Sequence, residues 1–324
     1  MCTAITYSTR DHYFGRNLDL EYGYRETVTI TPRNFPIDFR KMPSLDRHFA
    51  MIGMANVVNN MPLYYDATNE KGLSMAGLNF PGIARYLPLK GGMDNIAPFE
   101  LIPWILGQCE TVENACELLR KINLVNIPFS KELPLSPLHW IIADRTRSVI
   151  AEPMEEGLCI YENPVGVLTN NPPFDFHLYN LANYMNVSID PAVNRFSEKL
   201  DVESYSNGMG GMGLPGDLSS SSRFVRAAFM KLNSVSEAGE GESISQFFHI
   251  LSSVAMPRGA VRMKNGEYEI TRYSSCCNTD RGIYYYTTYE NSQISGVDMH
   301  REDLNGVKPI SYPLITKPQI QIQN

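Results

Sequence analysis

Short stretches in which apolar and polar residues alternate dominate the first part of the chain. Alternation with a period of two is typical of a β-strand, because successive side chains point to opposite faces of a sheet. Several stretches are also rich in Ala, Gly and Met, which favours strands buried on both faces. The strands predicted here are residues 3–7, 13–17, 26–31, 47–55 and 72–80.

Helical spacing begins after residue 97 and returns further along. Residues 98–108 are strongly apolar, residues 111–122 begin with the capping residue Thr111, and residues 174–185 are amphipathic. Two later helices are clearer, at residues 220–234 and 243–254. Their apolar positions are Phe224, Val225, Ala228, Phe229 and Leu232 in the first, and Ile244, Phe247, Phe248 and Leu251 in the second.

Further strands are predicted between and after the helices, at residues 138–145, 148–153, 157–162, 268–275 and 282–292. Blocks of strand that alternate with blocks of helix predict a layered α+β fold with largely antiparallel sheets. The glycine-bearing stretches 207–217 and 234–243 are interpreted as loops, since no change of composition marks a linker. We therefore expect one domain over residues 1–324.

The charge pattern excludes several classes of partner. The net charge is −7, and Lys and Arg are scattered rather than clustered, which argues against nucleic-acid binding. No apolar run approaches the length of a membrane span, and the N-terminus lacks the pattern of a secretory signal. We expect a cytoplasmic protein with neither a nucleic-acid nor a membrane partner.

The chain has six cysteines, which should be reduced in that compartment. None has the CxxC spacing of a zinc or redox site, and the adjacent Cys276 and Cys277 would point to opposite faces of a strand. No metal or cofactor is expected. Packing is the expected role of every cysteine except Cys2.

Two other motifs give only weak indications of function. The stretch "GMGGMG" at 208–213 matches a dinucleotide-binding pattern, but no apolar strand leads into it and no helix follows directly. It is interpreted as a loop. His139, in "PLHW", is interpreted as a buried histidine with satisfied hydrogen bonds, and a role as the partner of a catalytic thiol is the alternative.

Cys2 stands directly behind the initiator methionine. If Met1 is removed, Cys2 gains a free α-amino group with a pKa of about 7.7–8.0, which can take the proton of its own thiol. This is the chemistry of N-terminal nucleophile hydrolases. Taken alone, a cysteine placed there by chance is the better explanation of the position.

The stretch "YFGRNLDLE" adds to the interpretation of Cys2. A short hairpin would pair this strand with the first one and bring Arg16 near the chain start, where a guanidinium favours a thiolate. Asp19 or Glu21 could orient the amine. A surface salt bridge at a strand end is the alternative.

Asn79 and Asn170 each end an apolar segment. An asparagine at the end of a strand supplies the amide donors that an oxyanion hole requires, although turn-forming asparagines are common there. Arg223 falls in the first turn of a helix, where the helix dipole disfavours a cation. A specific anionic partner for Arg223 is therefore expected.

Together and in this order, these segments resemble the choloylglycine hydrolase family, which contains bile salt hydrolases and penicillin V acylases. The resemblance runs from residue 1 to about residue 293. The matching stretches are "MCTAITY", "FGRNLDLE", "NEKGLSMAGLNF", "SPLHW", "GVLTNNPPFD", "GLPGDLSSSSRF", "YSSCCN" and "GIYYYTTYENSQI".

The resemblance implies an αββα sandwich of two antiparallel sheets between helical layers. It also implies that Cys2 is the nucleophile once Met1 is removed. The other catalytic positions that it implies are Arg16, Asp19, Asn79, Asn170 and Arg223. Substrate-binding positions are Asn79 and the apolar Leu18, Phe129 and Leu133, whose side chains vary in the family.

The activity implied is hydrolysis of the amide bond between a bile acid and glycine or taurine through a thioester, by a homotetramer without a cofactor. Penicillin V acylases tend to carry tyrosine where this chain has Asn79, so the asparagine resembles the bile salt branch. The alternatives are an acylase for penicillin V or another N-acyl amide, a bile-acid-binding protein without chemistry, and a structural oligomer.

Overall fold

Two antiparallel β-sheets lie face to face, and helices cover the outer face of each sheet. The computed structural model describes all 324 residues. The αββα sandwich expected from the family resemblance is therefore confirmed.

The structure contains 16 strands and five α-helices. The strands are β1 (Cys2–Ser8), β2 (His12–Leu20), β3 (Thr27–Thr31), β4 (Met51–Val58), β5 (Met61–Asn69), β6 (Ser74–Asn79), β7 (Asp94–Ile96), β8 (Ile122–Leu124), β9 (Leu138–Ala143), β10 (Ser148–Met154), β11 (Gly157–Glu162), β12 (Val167–Leu168), β13 (Ile270–Asn278), β14 (Ile283–Thr288), β15 (Ser295–Asp298) and β16 (Ile310–Pro313). The helices are α1 (Leu101–Leu106), α2 (Val112–Leu119), α3 (Phe174–Asn180), α4 (Ser220–Asn233) and α5 (Glu240–Ser252).

The strand order places the start of the chain inside the first sheet. This sheet has six strands in the order β12-β1-β2-β13-β14-β15. The second has eight, in the order β11-β10-β9-β6-β5-β4-β3-β16, and β7 pairs with β8 in a small parallel sheet. Because β1 is flanked on both sides, its backbone is held by two neighbours.

Two apolar clusters hold the layers together. The larger joins the facing sides of both sheets to the helices over the first sheet, and it includes Ile5, Leu78, Ile141, Phe224 and Phe247. The smaller packs α1 and α2 against the outer side of the second sheet. Full burial of each such side chain stabilises the fold by about 1.5–3 kcal/mol.

The strand and helix predictions were mostly right in type and less accurate in extent. Thr111 caps α2 by accepting a hydrogen bond from the backbone of Asn114, as expected. The helix predicted over residues 98–108 is a 3₁₀ turn at 98–100 followed by α1, and the one over 174–185 ends in a 3₁₀ turn after residue 180. Three strands of two to four residues, β12, β15 and β16, are too short for their patterns to have predicted them.

The longest of the five α-helices, α4, has 14 residues. None of them is both long enough and apolar enough to cross a bilayer.

Gly15 allows β2 and β13 to approach each other closely. A Cβ atom at this position would lie 2.0 Å from the carbonyl oxygen of Ser275 and 2.9 Å from the Cα of Cys276. No side chain fits at those distances. The close pairing also lets the Ser275 hydroxyl accept a hydrogen bond from the backbone N–H of Arg16, at 3.1 Å.

Gly15→Ala should therefore lower the free energy of unfolding by about 3 kcal/mol, because the added methyl group forces two backbones apart. Urea unfolding followed by circular dichroism measures the change. Gly91→Ala is the matched control, since nothing lies within 4 Å of its added Cβ. Equal stability of the two variants would contradict the assigned strand contact.

Candidate active site

Cys2 is the first residue of β1, and its side chain is buried at 3% exposure. Leu18 of β2 lies directly opposite it, and Arg16 lies opposite Ala4. The backbone N–H of Cys2 donates to Oδ1 of Asn170 at 2.8 Å. The predicted hairpin is thus confirmed, and it brings Arg16 close to the chain start.

Arg16 extends from the first sheet to the second and is fully buried. Its Nη1 donates to the carbonyl oxygens of Gly77 at 2.5 Å and Tyr65 at 3.1 Å, while Nη2 has no hydrogen-bond partner. Burial acts to lower the pKa of Arg16, but the acidic groups around it, Cys2 foremost, raise the pKa above its ordinary value. The site therefore contains a permanent cation with one free donor nitrogen.

Asp19 is also fully buried, and burial raises the pKa of its carboxyl group. One carboxyl oxygen accepts from the hydroxyl of Thr271 at 2.6 Å, and the other has no partner. The terminal amine of Met1 donates to the backbone carbonyl of Asp19 at 2.8 Å and pairs with the buried Glu269. Burial lowers the pKa of this amine.

Asn170 connects the parts of the site. Its Oδ1 accepts from Cys2 and from Nη2 of Arg223, both at 2.8 Å. Its Nδ2 donates to the backbone carbonyl of Asn79 at 2.7 Å. An amide nitrogen carries two hydrogens, so one N–H of Asn170 remains available.

Arg223 lies in the first turn of α4 and is fully buried. Its guanidinium donates to the Cys2 carbonyl at 2.5 Å, to the Thr3 hydroxyl at 2.6 Å and to Asn170. None of these acceptors is an anion; burial lowers the pKa of Arg223, and the nearby acidic groups Asp19 and Cys2 act against that lowering, so the anionic partner stays a prediction. Neutral oxygens at the start of β1 and in the loop before α3 satisfy the cation.

The four substrate-binding positions lie in three parts of the fold. Leu18 pairs with Cys2, and Asn79 is the last residue of β6. Phe129 packs edge-on against Phe99, with ring centroids 5.2 Å apart, and Leu133 closes a turn by donating to the Ser130 hydroxyl at 3.1 Å. Phe129 and Leu133 therefore lie in the loop between β8 and β9.

Several residues around Asn170 were not predicted from the sequence. Ser220 accepts from the backbone N–H of Asn170 at 2.8 Å, and Nε2 of His177 hydrogen-bonds to its carbonyl at 2.8 Å. Glu152 lies within the otherwise apolar strand β10 and is fully buried. A charged residue inside an apolar strand was the one available sequence signal.

The six cysteines are all free thiols. Burial raises the pKa of the five thiols other than that of Cys2, to about 11 for Cys109 and about 12 for Cys277. These cysteines are therefore poor nucleophiles at neutral pH. Nowhere are three or more His, Cys, Asp or Glu side chains arranged to hold a metal ion.

An αββα sandwich whose first strand starts with a buried cysteine is the layout of the N-terminal nucleophile hydrolases. Residues 2–312 match the family model of linear amide C–N hydrolases, choloylglycine hydrolase family. The chain belongs to this family.

Relatives and solved structures agree with this assignment. The chain is 57% identical to a bile salt hydrolase/transferase from Lactiplantibacillus plantarum, covering 100% of both chains. It is 38% identical to the bile salt hydrolase/transferase from Clostridium perfringens, covering 94% of each. The structure of a C2A variant of conjugated bile acid hydrolase from C. perfringens superimposes with a TM-score of 0.93 at 36% identity over 100% of both chains. Penicillin V acylase from Agrobacterium tumefaciens shares the fold, with a TM-score of 0.75 at 20% identity over 94% of this chain and 88% of the acylase.

His177 should make the fold sensitive to mild acid. Burial lowers its pKa from 6.5 to about 4, so protonation of the unfolded chain removes stability as the pH falls between these values. The loss attributable to this group is about 3 kcal/mol. His177→Gln keeps a donor for the Asn170 carbonyl and should flatten the dependence of stability on pH in this range.

Urea unfolding at a series of pH values measures the effect. The exposed His300 provides the control, since His300→Gln should leave the slope unchanged. A His177→Gln curve parallel to that of the wild type would contradict the prediction.

Proposed function

We propose that the protein hydrolyses the amide bond of bile acids conjugated to glycine or taurine. The observation that carries this proposal is the 57% identity, over the full chain, to a bile salt hydrolase/transferase. The cluster around Cys2 supports it, because a buried thiol beside a cation and free amide donors suits attack on an amide carbonyl.

The reaction begins after Met1 is removed. The Cys2 thiol gives its proton to its own α-amine, and the sulfur attacks the amide carbonyl. Breakdown of the tetrahedral intermediate transfers a proton from the amine to the leaving glycine or taurine and leaves a thioester. Water then attacks the thioester, the amine serves again as the proton acceptor, and the bile acid leaves.

Each neighbouring residue has a proposed role in these steps. The free N–H of Asn170 and the backbone N–H of Asn79 stabilise the oxyanion. The unpartnered Nη2 of Arg16 favours the thiolate, and the unpartnered carboxyl oxygen of Asp19 orients the new α-amine. Arg223 holds Cys2 and Asn170 in register.

The substrate has an apolar steroid and an anionic end. Leu18, Asn79, Phe129 and Leu133 are proposed to line its site. The net charge of −7 cannot attract an anion over long distances, so a local donor must hold the carboxylate or sulfonate.

Turnover assays with glycocholate, taurocholate and penicillin V test the proposal. Release of glycine or taurine at rates well above penicillin V hydrolysis supports a bile salt hydrolase. Preference for penicillin V would assign the chain to the acylase branch, and binding of bile salts without turnover would indicate a binding protein.

The remaining proposals concern the setting of the enzyme. Residues 2–324 are proposed to act as one domain, supported by an apolar cluster that spans both sheets. A cytoplasmic location is supported by six free thiols. No cofactor enters the proposed chemistry.

We also propose a homotetramer, supported by an apolar arm at residues 185–212. Eight of the 22 exposed large apolar side chains lie in this segment, which contains no strand and no α-helix; Phe196 and Tyr205 are 86% and 83% exposed. Such a concentration of apolar surface is typical of an interaction site.

Sedimentation equilibrium should give four times the chain mass of 36.5 kDa. Phe196→Asp should shift the mass toward the monomer, because a charge is costly to bury in an interface. Val235→Asp is the control, since Val235 is equally exposed (87%) but lies outside the arm. A wild-type monomer would exclude the tetramer.

Mature protein should lack Met1, because Cys2 needs a free amine to act as its own base. Intact mass spectrometry of active enzyme measures this directly. Full activity in a preparation that quantitatively retains Met1 would exclude the mechanism.

Cys2→Ser should keep the fold and bile salt binding while hydrolysis falls by about a hundredfold or more, because the α-amine barely activates a hydroxyl. A thermal melt, a glycocholate binding titration and a glycine-release assay are compared. Cys159→Ser is the control, since Cys159 lies away from this cluster on β11. Near-wild-type hydrolysis by Cys2→Ser would show that another residue is the nucleophile.

A further inference from the structure

A buried histidine–glutamate pair lies behind the two asparagines of the site. His139 on β9 and Glu152 on β10 are both fully buried. Nδ1 of His139 lies 2.9 Å from Oε1 of Glu152. The proposed reaction uses neither residue, and a buried ionisable pair is costly to desolvate unless it is well bonded.

His139 contacts both loops that carry the oxyanion donors. Its Nε2 lies 2.9 Å from the carbonyl oxygen of Thr169, the residue before Asn170. Its ring stacks on Phe80, the residue after Asn79, with centroids 4.2 Å apart and planes 5° from parallel. One rigid ring therefore spaces the two loops.

The hydrogen bonds fix the protons of the pair. The Thr169 carbonyl can only accept, so Nε2 of His139 carries a hydrogen. Nδ1 faces a carboxyl oxygen, so a second hydrogen lies between Nδ1 and Oε1 of Glu152. With both nitrogens engaged, His139 cannot take a proton from Cys2, and the alternative of a cysteine–histidine partnership is excluded.

Glu152 secures the other end of the same loop. Its carboxyl oxygens accept from the backbone N–H of Phe174 at 3.1 and 3.2 Å, at the start of α3. The segment from Thr169 to Phe174 is thus attached at both ends to the pair. Asn170 lies within it, and its own carbonyl is held by His177.

We propose that the His139–Glu152 pair is a positioning unit, which sets the distance between the backbone N–H of Asn79 and the free N–H of Asn170. This inference rests on the proposed function, since it assigns these two donors to the oxyanion. An oxyanion hole works only when its donors are fixed before the charge develops, and a displacement of about 1 Å can cost a hundredfold in rate.

The test compares the conservative variant Glu152→Gln with a double variant that also carries His139→Phe. Glu152→Gln keeps both connections of the pair, because the Gln amide N–H donates to neutral Nδ1 of His139 and the Gln carbonyl retains one of the two hydrogen bonds from Phe174. Its kcat for glycocholate should stay within about threefold of wild type. His139→Phe in the Glu152→Gln background keeps the stacking ring and removes the donor to Thr169.

The double variant should lose about 10- to 100-fold in kcat relative to Glu152→Gln, and its KM should stay within about threefold of the Glu152→Gln value. Rates are expressed per reactive Cys2, counted by iodoacetamide labelling and mass spectrometry. This normalisation removes any loss from unfolded protein, which a purely structural role would produce. A fall in kcat per labelled site smaller than about fivefold overturns the proposal.

If the double variant does not fold, Phe80→Leu is tested in its place, because it removes only the stacking contact with His139. A fall in its kcat per labelled Cys2 smaller than about fivefold likewise overturns the proposal. Wild-type enzyme in the same assay distinguishes a failure of the substrate proposal from a failure of the positioning proposal. If it hydrolyses penicillin V but no bile salt, the substrate proposal fails, and the variants are measured with penicillin V. Turnover of neither amide overturns both.

Discussion

The guanidinium of Arg223 is fully buried, and it donates to the Cys2 carbonyl, the Thr3 hydroxyl and the Asn170 amide. Desolvation of such a cation costs several kcal/mol, and burial accordingly lowers its pKa. The cost is offset only when all three acceptors are in place. The first strand, the loop before α3 and the start of α4 must therefore assemble together, and the site forms only in the complete fold.

That constraint also fixes the direction of the Asn170 amide. Because Oδ1 receives donors from both Cys2 and Arg223, a flipped amide would place its own N–H groups against two other donors. The nitrogen end must then face Asn79. The polarity of the proposed oxyanion hole thus follows from a cation on a neighbouring helix, and the histidine–glutamate pair behind it sets its width.

Sequence patterns predicted the parts of the fold whose signals are local. Alternation located β1 and β2, and the short turn between them was enough to predict that Arg16 lies near the chain start, where the structure pairs it with Ala4. The contacts of Arg223 could not be predicted, because they depend on α4 lying beside β1, and 220 residues separate Arg223 from Thr3.

His139 was expected to have satisfied hydrogen bonds in the core, which is correct, but its partners come from strands and loops that only the tertiary packing brings together. Leu232 continued the apolar spacing of its helix and yet is 62% exposed, since the spacing shows a face but not where the covering layer ends.

The contrast among the six thiols has a consequence for oxidative damage. Peroxides oxidise thiolates far faster than thiols, and burial holds the other five cysteines in the protonated form. A nucleophile at Cys2 would then be the point at which oxidation begins. The first product, a sulfenic acid, is reversible by added thiol, whereas oxidation beyond it to the sulfinic or sulfonic acid is irreversible. The proposed activation of the chain terminus would therefore make reducing conditions a requirement for keeping the enzyme active.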